Sequence, residues 1–108
     1  MTELSQKIDN IEQILKKIEK RKNLLIHSLH DLRVELNVPI PIAVESDGYQ
    51  YIAYAPDSDI YGCGDTEYEA IDDLRQSIVE LYFDLKDEKL GKDLQKIFNY
   101  LKSVINET

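Results

Sequence analysis

One cysteine, no tryptophan, four glycines and three prolines are what this chain of 108 residues has little of. With Cys63 alone, an intrachain disulfide and a multi-cysteine zinc site are excluded, and a reducing compartment fits. No apolar run approaches the roughly 20 residues of a membrane-spanning helix, and the first residues alternate charged with apolar side chains instead of building a signal-peptide core. A cytoplasmic protein with no membrane partner is therefore expected. Positive charge is also scarce: 13 Lys and Arg stand against 21 Asp and Glu, a formal net charge of -8. A field of that sign repels phosphate backbones and attracts basic protein surfaces, so a protein partner is expected and DNA binding is not.

What is present suits one globular domain. Hydrophobic residues make up 43% and charged residues 31%, enough for a single core and too apolar for a disordered tail. Tyrosine supplies seven of the nine aromatics, so much of the aromatic area carries a polar tip suited to a half-buried face or an interface.

From Leu4 the apolar residues fall at Leu4, Ile8, Ile11, Leu15 and Ile18, steps of four and three that make a heptad repeat, and Lys22, Leu25, Leu29, Leu32 and Leu36 continue the register. This predicts a long helix over about residues 3 to 28, with residues 1–30 as an N-terminal coiled-coil segment and 31–108 as the remaining domain. Leu4, Ile8, Ile11, Leu15, Ile18 and Leu25 are its candidate oligomer interface, because a heptad seam gains most of its stability by packing on something. Folding back over the open face of the chain's own sheet would serve the same need.

Leu32, Val34, Leu36, Val38, Ile40, Ile42 and Val44 alternate with other residues at the strand period, so a strand is expected from near Leu32. Pro39 and Pro41 cannot donate ladder hydrogen bonds and make its first half edge-like. Asp47-Gly48 carries the chemistry of a tight hairpin with positive φ at both central residues, leading to a second strand over Tyr49 to Ala55 and a third over Ile60 to Cys63. Thr66 and Glu69 form a capping box for a helix whose apolar stripe is Ala70, Ile71, Leu74, Ile78, Leu81, Tyr82 and Leu85. A last helix runs from Lys92 to about Asn106 and presents Leu94, Ile97, Phe98, Leu101, Val104 and Ile105. The expected fold class is α+β: an antiparallel sheet of three or four strands with a packed helix, plus an N-terminal and a C-terminal helix.

Two segments within this pattern, Gly48-Tyr49-Gln50-Tyr51-Ile52-Ala53-Tyr54-Ala55-Pro56-Asp57 and Gly64-Asp65-Thr66-Glu67-Tyr68-Glu69-Ala70, resemble the HicB-like family. That family carries a glycine-aromatic strand ending in Pro-Asp, then Gly-Asp-Thr, two variable residues and Glu-Ala opening a helix. The resemblance covers about residues 38 to 90. It implies a truncated RNase H-like domain without nuclease activity, acting as an antitoxin that masks a HicA-type ribonuclease toxin. After Gly91 there is no helix-turn-helix or ribbon-helix-helix segment, and some thirty residues of predicted helix precede the first strand, so operator binding does not follow from the resemblance.

Candidate chemistry is sparse. Asp47, Asp57, Asp59 and Asp65 are the carboxylates a two-metal nuclease would need to cluster, but their turn and loop settings favour solvated structural roles. His27 and His30 read as a solvated helix end, and Cys63 as a small buried strand residue. Lys16, Lys17, Lys20, Arg21 and Lys22 read as the wet face of a coil. No catalytic residue, cofactor or metal ligand is assigned, and no enzyme activity is expected. The candidate partner-binding residues are Tyr49, Tyr51, Tyr54, Asp57, Asp59 and Tyr61, with a HicA-type toxin or another basic protein as partner, and self-association is expected.

Overall fold

A computed structural model describes residues 21–108. Alternation of β-branched and other residues from Ile40 onward produces a strand whose Ile40, Ile42 and Val44 all turn to one face and are buried there. This strand is β3 (Ile40–Ser46), preceded by β1 (Lys22–Ile26) and β2 (Val34–Leu36), and followed by β4 (Tyr51–Ala55) and β5 (Ile60–Gly64). Then come helices α1 (Glu67–Lys86) and α2 (Lys92–Val104), and a last strand β6 (Ile105–Glu107). Four strands form an antiparallel sheet in the order β1-β3-β4-β5, while β2 and β6 pair antiparallel in a separate two-stranded sheet. The class is α+β.

Residues 22–26, expected to be helical, are strand β1. The heptad register through Lys22 and Leu25 competes there with the apolar run Leu24-Leu25-Ile26, and pairing Lys22–Ile26 along the free edge of Ile40–Val44 decides the contest. Residues 3–20 of the expected helix lie outside the described residues, as do Leu4, Ile8, Ile11, Leu15 and Ile18. His27 and His30 accordingly end no helix: both are exposed in the connection after β1, and His30 takes the left-handed conformation at φ 52°. The expected strand from Leu32 is likewise divided, because Leu32 is 98% exposed in a turn and Val34–Leu36 leaves the main sheet to pair with β6.

Pro41 sits opposite Leu25 of β1, but pairing with β4 begins only at Ala43, so the first half of β3 has a neighbour on one side alone. That is where a residue without an N–H does least harm. The β3–β4 hairpin is looser than the two-residue turn the Asp-Gly pair suggested. Its last pair is Ser46 with Tyr51, only Gly48 has positive φ (95°), and the Asp47 carboxylate accepts from the amides of Tyr49 and Gln50, both at 2.8 Å. Those bonds, Gln50 first, hold the Asp47 carboxyl below the usual carboxylate range.

Thr66 caps α1 as its residue type predicts, its Oγ1 accepting from the Glu69 amide at 3.1 Å. The returning Glu69 carboxylate takes the Asp65 amide at 3.0 Å instead of the Thr66 amide, since β5 ends at Gly64 and Asp65 is the first residue beyond its ladder. Ala70, Leu74, Ile78, Tyr82 and Leu85 are buried along one stripe of the helix. The helix lies almost on the backbone of β5: a Cβ at Gly62 would meet the Leu74 amide nitrogen and stand 2.6 Å from the Ala70 carbonyl oxygen.

Beyond the expected helix limit there is a second correction. Helix α2 ends at Val104, and Ile105, assigned by periodicity to its apolar face, begins β6. The Asn37 amide donates to the Val104 carbonyl at 2.7 Å, the side chains of Asn106 and Asn37 are hydrogen-bonded, and the Thr108 amide donates to Arg33 at 3.0 Å. The Glu107 carboxylate accepts from the Lys86 ammonium at 2.7 Å and from the Tyr82 hydroxyl at 3.0 Å, tying this strand to the end of α1. Among the described residues no helix is long and apolar enough to cross a membrane.

Candidate functional site

Because strand residues alternate between faces, the side of the sheet covered by α1 takes Ile40, Ile42, Val44, Ala53, Ala55, Gly62 and Gly64, and the other side takes the residues between them. The strand register sets Asn23, Ala43, Tyr54 and Tyr61 in one row across all four strands, and Glu45, Ile52 and Cys63 in the next. Leu25 and Pro41 are paired at the near end of this outer face. Both helices among the described residues serve the other side or the small sheet, so this face is open to solvent there.

Its surface is concave. One hollow of about 330 Å³ is lined by Arg21, Leu24, Leu25, Pro41, Ala43 and Pro56 among others, and a second of about 350 Å³ by Arg21, Ala43, Glu45, Ile52, Tyr54 and Tyr61. The rings of Tyr54 and Tyr61 are stacked, with centroids 4.4 Å apart and planes 23° from parallel. The Tyr54 hydroxyl donates to Asp59 Oδ1 at 3.0 Å, and that bond, with the nearby carboxylate charge and burial, raises the Tyr54 pKa. Asp59 itself is left-handed at φ 54°, a conformation Asp tolerates better than most residues. Arg21 reaches Glu45 at 3.7 Å across the end of the face. The result is an apolar and aromatic strip with a fixed acidic corner, suited to docking a side-chain-rich surface and without a nucleophile–base pair.

Of the six candidate partner-binding residues, the structure brings together Tyr54, Asp59 and Tyr61. Tyr51 is opposite Gly64 on the α1 side of the sheet and half-buried against the core. Tyr49 is 93% exposed at the tip of the β3–β4 hairpin. Asp57, in the β4–β5 loop, is close enough to the partly buried Tyr100 of α2 to add to the burial that pushes that phenol up to about 12. Leu25, a candidate interface residue, is 55% exposed and does lie on the outer face. Ile52, Ala43 and Pro41 were missed by residue type, yet the period of two carried the signal: Ile52 shares the parity of Tyr54, whereas Tyr49 and Tyr51 have the opposite one.

Cys63 is exposed on the same face, not buried as its size suggested, because Gly62 and Gly64 take the inward positions where α1 leaves no room for a side chain. Its amide points away from β4 and donates to Asp73 Oδ2 at 3.0 Å. His30 Nδ1 lies 3.5 Å from Asp72 Oδ1, which also approaches Arg75 Nη1 at 3.8 Å. Asp47, Asp57, Asp59 and Asp65 do not converge, and among the described residues no group of three or more His, Cys, Asp or Glu is arranged to hold a metal ion.

Fold and site together define an α+β domain whose sheet, among the described residues, is covered on one face and open on the other. No protein-family model, no curated protein and no solved structure matches the chain.

Proposed function

We propose that this chain is a HicB-like binding module that neutralises a HicA-type, mRNA-cleaving toxin by direct contact, in the cytoplasm and without catalysis of its own. The reading rests first on the open outer face, where Tyr54, Tyr61, Ile52 and Leu25 offer apolar and aromatic area beside the carboxylates of Asp59 and Glu45. Aromatic anchors flanked by charge are the composition that carries affinity in protein interfaces. The net charge of -8 supports a basic partner, since opposite fields speed encounter and disfavour nucleic acid. The Gly-Asp-Thr turn into a threonine-capped helix, and the Pro56-Asp57 pair directly after β4, are the features shared with the HicB-like pattern.

The test is co-expression with a HicA-type toxin, a short basic ribonuclease. Co-purification at unit stoichiometry and suppression of its RNA cleavage are expected. Replacing Tyr61 and Tyr54 by Ala should weaken the complex at least tenfold, about 1.4 kcal/mol. Failure to bind any HicA-type toxin encoded beside it would remove the proposal.

A second reading, a stand-alone HicB-like oligomerising scaffold with no toxin partner, is favoured by the exposure of Leu25 on edge strand β1. Light scattering separates the two, because a scaffold is multimeric in the absence of any partner.

A further inference from the structure

We infer that the hollow beside the Tyr54–Tyr61 stack is a receptor for an arginine side chain of the docking partner, its guanidinium lying flat on a tyrosine ring between the Asp59 and Glu45 carboxylates. The inference deepens the outer-face reading above and rests on it in taking the partner to be a basic protein.

Shape is the first support. The hollow of about 350 Å³ is lined by Arg21, Ala43, Glu45, Ile52, Tyr54 and Tyr61. In the row Asn23, Ala43, Tyr54, Tyr61 the small member is Ala43, and its methyl group leaves room beside the neighbouring ring. The two rings stack at 4.4 Å between centroids, which uses one face of each and leaves the opposite faces for a further flat group. Tyrosine faces attract cations, and guanidinium suits them because it is planar and weakly hydrated.

Charge is the second. Glu45 stands one row beyond the tyrosines, level with Ile52 and Cys63, while Asp59 lies on the opposite side of the row, just before β5. The aromatic row is thus bracketed by two carboxylates. Asp59 Oδ1 accepts from the Tyr54 hydroxyl at 3.0 Å, so Oδ2 is left for an incoming donor. A guanidinium carries five N–H donors around its plane and serves a carboxylate at its edge while its face rests on a ring; an ammonium does not stack.

The chain itself supplies the third, because Arg21 brings a guanidinium to this hollow and its Nε lies 3.7 Å from Glu45 Oε1. Both side chains of that pair are more than half exposed, so the contact is weak and yields to an incoming arginine. Finally, the receptor is built before its ligand arrives: Asp59 is held left-handed at φ 54° with its carboxylate fixed by Tyr54, which lowers the ordering cost of binding. A nucleobase also stacks on tyrosine, but its phosphate meets Asp59 and Glu45 in a chain of net charge -8.

The experiment is an NMR titration of the full chain, followed at the ring signals of Tyr54 and Tyr61, with Nα-acetyl-arginine amide, Nα-acetyl-lysine amide and adenosine monophosphate as separate probes. Saturable shifts are expected from the arginine compound, about threefold tighter than from the lysine compound, and none from the nucleotide. Asp59→Asn removes the charge but keeps a residue that tolerates the left-handed conformation, and should weaken the arginine compound about threefold with the methyl spectrum unchanged. An equal response to lysine, a response to the nucleotide alone, or no saturable shift at the two rings overturns the inference. The two readings fail separately. A HicA-type toxin that binds a chain whose rings ignore arginine removes this inference alone, whereas arginine shifts without toxin binding leave the receptor standing and remove the proposed function.

Discussion

At Gly62 the absence of a side chain sets the distance between helix and sheet. The Ala70 carbonyl would stand 2.6 Å from an added Cβ, and both it and the Leu74 amide are helix backbone that cannot swing aside. Gly62→Ala should therefore destabilise the fold by about 3 kcal/mol, the upper part of the overpacking range, measured as a lower urea midpoint at unchanged slope. Gly91 is the internal control: nothing lies within 4 Å of its Cβ position and its φ is −69°, so Gly91→Ala should change the midpoint little. Titration also acts at single residues. The Arg33 guanidinium, with the Arg33 amide, holds the Asp31 carboxyl down to about 2, and Lys86 with Tyr82 lowers Glu107. Both carboxylates bind protons more weakly folded than unfolded, so their contribution is complete above the ordinary carboxylate range and is lost as pH falls through the folded values. Urea midpoints should lose this contribution between about pH 4.5 and 2, and Asp31→Asn should shrink that acid limb. An unchanged acid limb in the variant would show that Asp31 is not a source of it.

At the scale of elements, the β5 edge of the sheet carries its own guard. On β5 the outward Cys63 amide is occupied by Asp73 of α1, which blunts the edge against pairing with another strand. Asp73→Ala should speed amide exchange at Cys63 and raise the concentration-dependent mass seen by light scattering. A variant that exchanges and scatters like the parent would mean the carboxylate guards nothing. The second element-scale device is the short β2–β6 ladder, held at its end by Glu107 between Lys86 and Tyr82. Glu107→Gln should loosen β6, read as faster exchange of the Ile105–Glu107 amides with little change in those of β3 and β4.

Across the whole molecule the field is acidic, and its effect is on association more than on folding. If a basic partner docks on the outer face, its on-rate should fall several-fold between about 0.05 and 0.5 M salt, while the dissociation rate changes less, as for electrostatically steered pairs. Stopped-flow mixing measures both, and a salt-independent on-rate would argue for a neutral partner.

The parts legible from sequence are those whose causes lie within a few residues. Thr66 and Glu69 announce the start of α1, its stripe follows from spacing, Asp47-Gly48 marks the turn, and the period of two assigns Ile52 and Tyr54 to one face. The chain alone does not reveal that Lys22–Ile26 is a strand, because its residues suit a heptad nearly as well until the edge of β3 offers a partner. Nor does it reveal β6, whose partner Val34–Leu36 is far away in sequence and whose Ile105 fits the stripe of α2 equally well. Which sheet face α1 leaves uncovered, and that Cys63 lies on it, followed from the side on which α1 packs over Gly62 and Gly64. Capping and turn chemistry are local hydrogen bonds, written in neighbouring residues; strand pairing and layer order join distant segments, and only the assembled chain selects them.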